Sequence, residues 1–177
     1  MHGHINVIMA ILTIARMGHP VLARIADPIA DPTDPRWKAL AADMEETMLA
    51  ADGLGLAAPQ VGVGVRMVLF SVADEVPLTV MLNPEITPLS DATDEAYEAC
   101  LSVPGLMGKV PRWTEIGYKG VDLDGNIFER EAKGFHARVV QHECDHLWGR
   151  LYLSRMADLG SLAYRDELIR VASEESA

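Results

Sequence analysis

Cysteine, aromatic residues, basic charge and long apolar runs are all scarce in this chain. Its two cysteines, Cys100 and Cys144, cannot build a disulfide framework, so we expect a reducing, cytoplasmic setting. The 15 basic residues are outnumbered by 26 acidic ones, and the net charge of -11 argues against direct nucleic-acid binding. Apolar runs fall short of bilayer thickness, which argues against a membrane protein.

What the chain does contain is enough apolar material for a core. Hydrophobic residues make up 49% of its 177 residues, so we expect a folded chain with one domain over residues 1–177. Residues 1–10 are expected to be a flexible or extended N-terminus. The apolar stretch from Ile5 to Leu12 is interpreted as an entry strand or packing segment and not as a signal peptide.

Turn and cap signals divide the rest of the chain into short elements. Asp34 and Pro35 predict the start of a helix that ends near Asp52–Gly53. Asp124–Gly125–Asn126 predicts a hairpin. Other predicted elements are strands at 61–73, 76–83 and 151–152, and a terminal helix at 158–172. The expected fold class is α+β, with short, mostly antiparallel strands packed around a central metal-binding helix, and a C-terminal helix.

The central helix is predicted between Gly134 and Gly149 and carries the pattern His142-Glu143-x-x-His146. Residues four apart lie on one helix face, so both imidazoles can bind one metal ion. The glutamate between them can then act as a base. The pattern is short enough to arise by chance, so its meaning depends on a third ligand.

Three residues bear on that third ligand. Tyr152 stands where a metzincin protease has histidine, which argues against that class. Glu167 has the spacing of a glutamate ligand on a later helix. Cys100 lies between short strands upstream, and a thiolate with two imidazoles would leave the fourth tetrahedral position open. Cys144 is two residues from each histidine and is expected to point away from their face. An ordinary buried thiol at Cys100 stays open from the residues alone.

Three segments in order resemble the three motifs of peptide deformylases. They are Gly53-Leu-Gly-Leu-Ala-Ala-Pro-Gln60, Glu98-Ala-Cys-Leu-Ser102 and Gln141-His-Glu-Cys-Asp-His146. The resemblance spans nearly the whole chain. It implies a metal-dependent hydrolase that removes the N-formyl group from N-formylmethionine of newly made polypeptides and releases formate.

The resemblance also implies the roles of individual residues. The metal would be one divalent ion, Fe(II) in the cell, with Zn, Ni or Co in purified protein; its ligands would be Cys100, His142 and His146. Glu143 would move protons. The Gln60 side chain and the Leu101 backbone N–H would hold the developing oxyanion.

For the substrate, the resemblance implies N-formylmethionyl nascent peptides and transient proximity to the ribosome. Backbone groups at Leu54 and Gly55 would bind the peptide as an added strand. Phe135 and Val139 share a helical stripe with His142 and His146, and with Leu54 they are the candidates for the methionine pocket. Each could also simply be core.

One position departs from the family pattern, which has glycine where this chain has Ala99. A left-handed backbone there would strain alanine, and a close approach would press its methyl group on the site. Two alternatives therefore stay open. One is a deformylase-like metal- or peptide-binding protein with low turnover because of Ala99. The other is a peptidase that uses Glu167 as its third ligand.

Four charged residues near the motifs carry secondary expectations. Glu98 and Arg112 resemble a structural ion pair behind the cysteine motif. Asp145 is expected to support a ligand histidine or a neighbouring backbone group. Arg138 is expected to point to solvent.

Overall fold

The structure is a computed structural model that describes residues 10–175. The first long element is α1, Pro35–Ala50. Asp34 caps it by accepting a hydrogen bond from the Arg36 N–H, at 3.0 Å. One face of α1 is buried in the core, through Trp37, Ala41, Met44 and Met48. Start and end therefore agree with the sequence prediction to within two residues.

A five-stranded sheet forms the main platform, with spatial order β1-β2-β3-β6-β7 and antiparallel pairing throughout. Its strands are β1 Gly55–Ala57, β2 Met67–Val72, β3 Val76–Pro88, β6 Glu115–Val121 and β7 Ile127–Lys133. The predicted hairpin at Asp124–Gly125–Asn126 joins β6 to β7. Strand β1 is short and lies at the sheet edge, so one of its sides pairs with no other described strand.

A second, three-stranded antiparallel sheet has the order β4-β5-β8. It consists of β4 Thr93–Cys100, β5 Val103–Trp113 and β8 Ala163–Tyr164. Strand β4 ends at Cys100, in a tight turn before Val103, where the register with β5 shifts. That turn places the cysteine motif at the end of the sheet, next to the central helix.

The central helix is α2, Gly134–Leu147, and it lies between the two sheets. Its apolar side packs with the five-stranded sheet through Ala137, Val139, Val140, Cys144 and Leu147. The α+β class, with antiparallel strands around a central helix and a C-terminal helix, is confirmed.

Several local predictions need correction. Leu151–Tyr152 is not a strand, because a 3-10 turn over Tyr152–Arg155 buries the tyrosine. The terminal helix is α3, Arg165–Glu175, and begins seven residues later than predicted because a 3-10 turn and β8 come first. Of the predicted N-terminal segment, residues 1–9 lie outside the described part. Leu12 packs on the core and donates its N–H to Thr47 Oγ1 at 2.8 Å.

Within residues 10–175, the helices are all too short or too polar to cross a bilayer.

Candidate metal centre and active site

The end of β4 and the last two turns of α2 bring three ligand-type side chains together. Cys100, His142 and His146 each offer one ligand atom, and these atoms lie within 4.8 Å of one another. The Cys100 Sγ lies 3.5 Å from His146 Nε2. No other such group of histidine, cysteine and carboxylate side chains occurs among the described residues. One thiolate and two imidazoles form a donor set suited to a tetrahedral metal with an open position.

His142 is oriented by a carboxylate from β4. Its Nδ1 lies 2.8 Å from Glu98 Oε2, which leaves Nε2 to face the cluster. Only 11% of the His142 side chain and 4% of the Glu98 side chain are exposed. Burial lowers the pKa of His142, but hydrogen bonds with Cys100 and Glu98 outweigh it and raise the pKa well above its usual value. A carboxylate behind a metal-binding imidazole fixes its tautomer and its direction.

Glu98 is in turn held by arginine. Arg112 makes a two-pronged contact with it, from Nε to Oε1 and from Nη2 to Oε2, both at 2.9 Å. Burial raises the pKa of Glu98, but the hydrogen bonds from Arg112 and His142 lower it to about 2. The predicted ion pair is thus present, and it also supports a histidine of the cluster, a link that no local sequence pattern predicts.

Glu143 stands beside the cluster with one oxygen unused. Its side chain is buried, and Oε2 has no hydrogen-bond partner among the described residues. Burial raises the pKa of Glu143 to about 7, which suits a group that must gain and lose a proton near neutrality. A Cβ added at Gly55 would lie 2.5 Å from Glu143 Oε1, so this glycine lets β1 approach the carboxylate directly.

The Gln60 amide faces the same cluster. Its Oε1 accepts the Ala57 N–H at 2.9 Å, which turns the NH2 group toward the cysteine. The Nε2 lies 3.6 Å from Cys100 Sγ and 3.2 Å from Ser102 Oγ. Gln60 is only 2% exposed. A buried amide fixed in this way is a preorganised donor next to the candidate metal position.

The two residues next to Cys100, Ala99 and Leu101, differ in exposure. Ala99 is exposed, and it is not among the non-glycine residues with positive φ, which are Asp52, Asp74 and Asn83. The strain considered for alanine at this position is therefore absent, and the exposed residue is not buried against the site. Leu101 directly follows the cysteine in the turn, half-buried. Its N–H is therefore carried by the same turn as the candidate ligand.

The predicted substrate residues separate into exposed and buried ones. Leu54 and Phe135 are 46% and 53% exposed, whereas Val139 is 8% exposed and packs in the core. The stripe inferred for α2 therefore begins at the surface with Phe135, and its later members Val139 and His146 are buried. Gly55 and Leu54 lie at the start of edge strand β1, where an extended peptide could pair.

Two predictions for charged residues of α2 are wrong. Arg138 does not point to solvent; it is 5% exposed and donates to Glu98 Oε1 at 2.9 Å. Among the described residues, Asp145 orients neither a ligand histidine nor a backbone group; its oxygens accept hydrogen bonds from Arg112 and Arg155. The histidine support comes instead from Glu98.

The competing ligand candidates lie elsewhere. Glu167 is on the exposed helix α3, where its carboxylate pairs with Arg170 at 2.7 Å. Cys144 points into the apolar core, as expected from its spacing, and burial raises the pKa of its thiol. The arrangement therefore favours Cys100 over both.

The chain resembles a set of known proteins along most of its length. Residues 11–161 match the family model of polypeptide deformylase. Peptide deformylase 1 of Bordetella pertussis is 51% identical over 163 residues, which cover 88% of this chain and 93% of that protein.

Solved structures agree with these sequence matches. The peptide deformylase of Thermotoga maritima aligns with a TM-score of 0.80 at 37% identity, over 84% of this chain and 99% of that one. A class I type b peptide deformylase from Acinetobacter baumannii, in a structure bound to Met-Ala-Ser, aligns with a TM-score of 0.77 at 37% identity, over 84% and 99% of the two chains. By sequence and by structure, this chain belongs to the polypeptide deformylase family.

Proposed function

We propose that this chain hydrolyses the formyl group from N-formylmethionine at the start of newly made polypeptides and releases formate. The observation that carries the proposal is the convergence of Cys100, His142 and His146 beside the buried carboxylate of Glu143. We further propose that it acts in the cytoplasm, near ribosomes, where formylated chains emerge.

The family is metal-dependent, and the residues here fit a metal. One buried atom beside the cluster, Glu143 Oε2, has no described partner, which is costly unless a ligand or water is present. Cys100, His142 and His146 would be the protein ligands. We propose Fe(II) as the metal in the cell, with Zn, Ni or Co in purified protein.

A divalent ion held by these residues would supply a Lewis acid and make water a nucleophile near neutral pH. Glu143 takes the proton of the attacking water and later gives it to the leaving amine. Its pKa near 7 serves both steps, since the carboxylate accepts and the carboxylic acid donates. Gly55 allows this carboxylate to lie close to the strand that binds the peptide.

Two donors hold the oxyanion that forms on the formyl oxygen. The Gln60 NH2 group is oriented by the Ala57 N–H, so little reorganisation is needed when charge develops. The Leu101 N–H is the second donor, carried by the turn that follows Cys100. Together they would stabilise the negative charge on that oxygen.

The peptide pairs with the free side of β1, at Leu54 and Gly55, as an added strand. Exposed apolar side chains at Leu54 and Phe135 flank the entrance for the methionine side chain. Val139, one turn after Phe135 on α2, is buried in the core and would form the inner wall of that pocket.

The proposal is tested by formate release from formyl-Met-Ala-Ser, because a deformylase of known structure binds Met-Ala-Ser. Chain loaded anaerobically with one Ni(II) or Fe(II) per molecule should release formate. Chelator treatment should abolish release, and acetyl-Met-Ala-Ser should not be cleaved. Absence of formate from chain with one bound metal ion would refute the activity.

A further inference from the structure

Arg138 occupies an unusual place for a charged residue. It lies on α2 one turn before His142 and is only 5% exposed. Burying a guanidinium is costly unless every donor finds a partner. Its Nη1 donates to Glu98 Oε1 at 2.9 Å and to the Val110 carbonyl at 2.7 Å. Its Nη2 donates to the Asp94 carbonyl at 3.1 Å and to Asp94 Oδ1 at 2.8 Å.

These partners belong to the strand that carries the cysteine and to that strand's neighbour. Asp94 and Glu98 are on β4, which ends at Cys100, and Val110 is on β5. A single side chain of α2 is thus fastened at three points to the second sheet. The candidate ligands are divided in the same way, with the thiol on β4 and both imidazoles on α2.

Arg138 also completes the surroundings of the Glu98 carboxylate. Oε1 accepts from Arg112 Nε and Arg138 Nη1, and Oε2 accepts from Arg112 Nη2 and lies against His142 Nδ1. Each oxygen therefore has two partners, which is the full capacity of a carboxylate. Arg112 is shared with Asp145 at 2.6 Å, so it is not dedicated to Glu98.

We propose that Arg138 is a positioning residue of the metal site. It sets the separation of β4 and α2, and it fixes Glu98 so that Oε2 faces His142 Nδ1 and His142 Nε2 faces the metal. The inference rests on the proposed metal site at Cys100, His142 and His146, and its consequence is that Arg138 controls metal affinity without touching metal or peptide.

The test separates metal affinity from stability. Three variants, Arg138→Met, Arg138→Lys and Arg130→Met, are compared with the parent chain. Arg130 is a control arginine on the five-stranded sheet: it lies exposed on β7 and donates to Thr79 Oγ1 at 3.1 Å. Each is measured for the Co(II) dissociation constant by chelator competition, for the Co(II) absorption spectrum, and for urea unfolding of the metal-free chain.

Arg138→Met is expected to weaken Co(II) binding by about 10- to 100-fold and to change the Co(II) spectrum, as supporting residues of metal ligands typically do. Arg138→Lys keeps the charge but cannot donate through two separate Nη groups, so an intermediate loss of Co(II) affinity is expected. Arg130→Met should bind like the parent. Added to Glu98→Gln, Arg138→Met should cost much less affinity than it does alone, because the two residues act as a unit.

Unchanged Co(II) affinity and spectrum in Arg138→Met, with only the urea midpoint lowered, would overturn the proposal and leave Arg138 a structural residue. If Arg138→Met does not fold, Co(II) affinity, the Co(II) spectrum and the urea midpoint of Arg138→Lys decide in the same way. The metal site is checked separately: parent-like Co(II) binding by Cys100→Ser would refute the proposed function itself, whatever the result at Arg138.

Discussion

Helices α2 and α3 both carry charged residues, yet they use charge in opposite ways. In α2, 11 of 14 residues are buried, among them Arg138, Glu143 and Asp145. In α3, none of the 11 residues is buried. Its Arg170 pairs with Glu167 and Glu174 at the surface, at helical spacings of three and four.

The two helices differ in the energetic cost of their charged side chains. Exposed pairs such as those of α3 keep a helix hydrated and contribute little. Charged groups inside the protein are costly unless partnered, and α2 keeps several, including a Glu143 oxygen with no described partner. The unpartnered Glu143 oxygen of α2 lies beside the candidate metal site, whereas Arg170 of α3 is paired with its own neighbours at the surface.

The largest effect, a loss of metal binding, is expected from removing a ligand candidate. The two candidates are Cys100, beside α2, and Glu167, on α3. Cys100→Ser should bind no metal at concentrations that saturate the parent chain, because the thiolate is lost. Glu167→Ala on α3 should keep full metal content. Metal per chain, measured by elemental analysis after gel filtration, checks both. The opposite pattern would support the peptidase alternative and reverse the contrast between the helices.

The next largest effect is a loss of rate on removing Gln60, the proposed oxyanion donor, which faces the cluster from outside α2. Gln60→Ala should lower kcat by about 100- to 1000-fold. KM should change less, since the donor acts mainly on charge that develops in the transition state. Steady-state formate release from metal-loaded variant measures both constants. An equal loss through KM alone would show that Gln60 binds substrate and does not stabilise the oxyanion.

A smaller loss of rate is expected from Gly55→Ala, at the point where α2 approaches edge strand β1. In Gly55→Ala the new Cβ would lie 2.5 Å from Glu143 Oε1, so the carboxylate must move. Displacing a catalytic group by such an amount costs up to about 100-fold in rate. Gly64→Ala is the matched control, because a Cβ there meets nothing within 4 Å. Parent-like activity in Gly55→Ala would mean that Glu143 need not approach β1.

The smallest effect is expected at Ala99, exposed like the residues of α3 although it precedes a proposed ligand. Ala99→Gly should leave the rate of formate release unchanged. The added backbone freedom should lower the free energy of unfolding by at most about 1 kcal/mol. Urea unfolding and the formate assay check both. A large gain in activity would revive the view that alanine hinders the site.

The sequence predicted the elements whose signal is local. The spacing of His142 and His146, and the turn at Asp124–Gly125–Asn126, follow from helix and turn chemistry within a few residues. The pairing of Glu98 with His142 depends on how β4 packs on α2, which no local pattern specifies. One overlooked signal was available: Glu98 and Cys100 are two apart on a strand, so they share a face, and Ala99 lies on the other.

Arg138 was wrongly predicted for a related reason. A charged residue on a helix is usually at the surface, and only the distant partners Asp94 and Val110 make its burial favourable. The tertiary structure therefore overrides the single-residue expectation.

Glu143→Gln tests whether α2 carries a proton-transfer group beside a metal. The variant and the parent, each with one metal ion per chain, are compared for formate release from formyl-Met-Ala-Ser. The rate is expected to be lower by about 100- to 10,000-fold in the variant, with metal retained. Equal rates at equal metal content would contradict it.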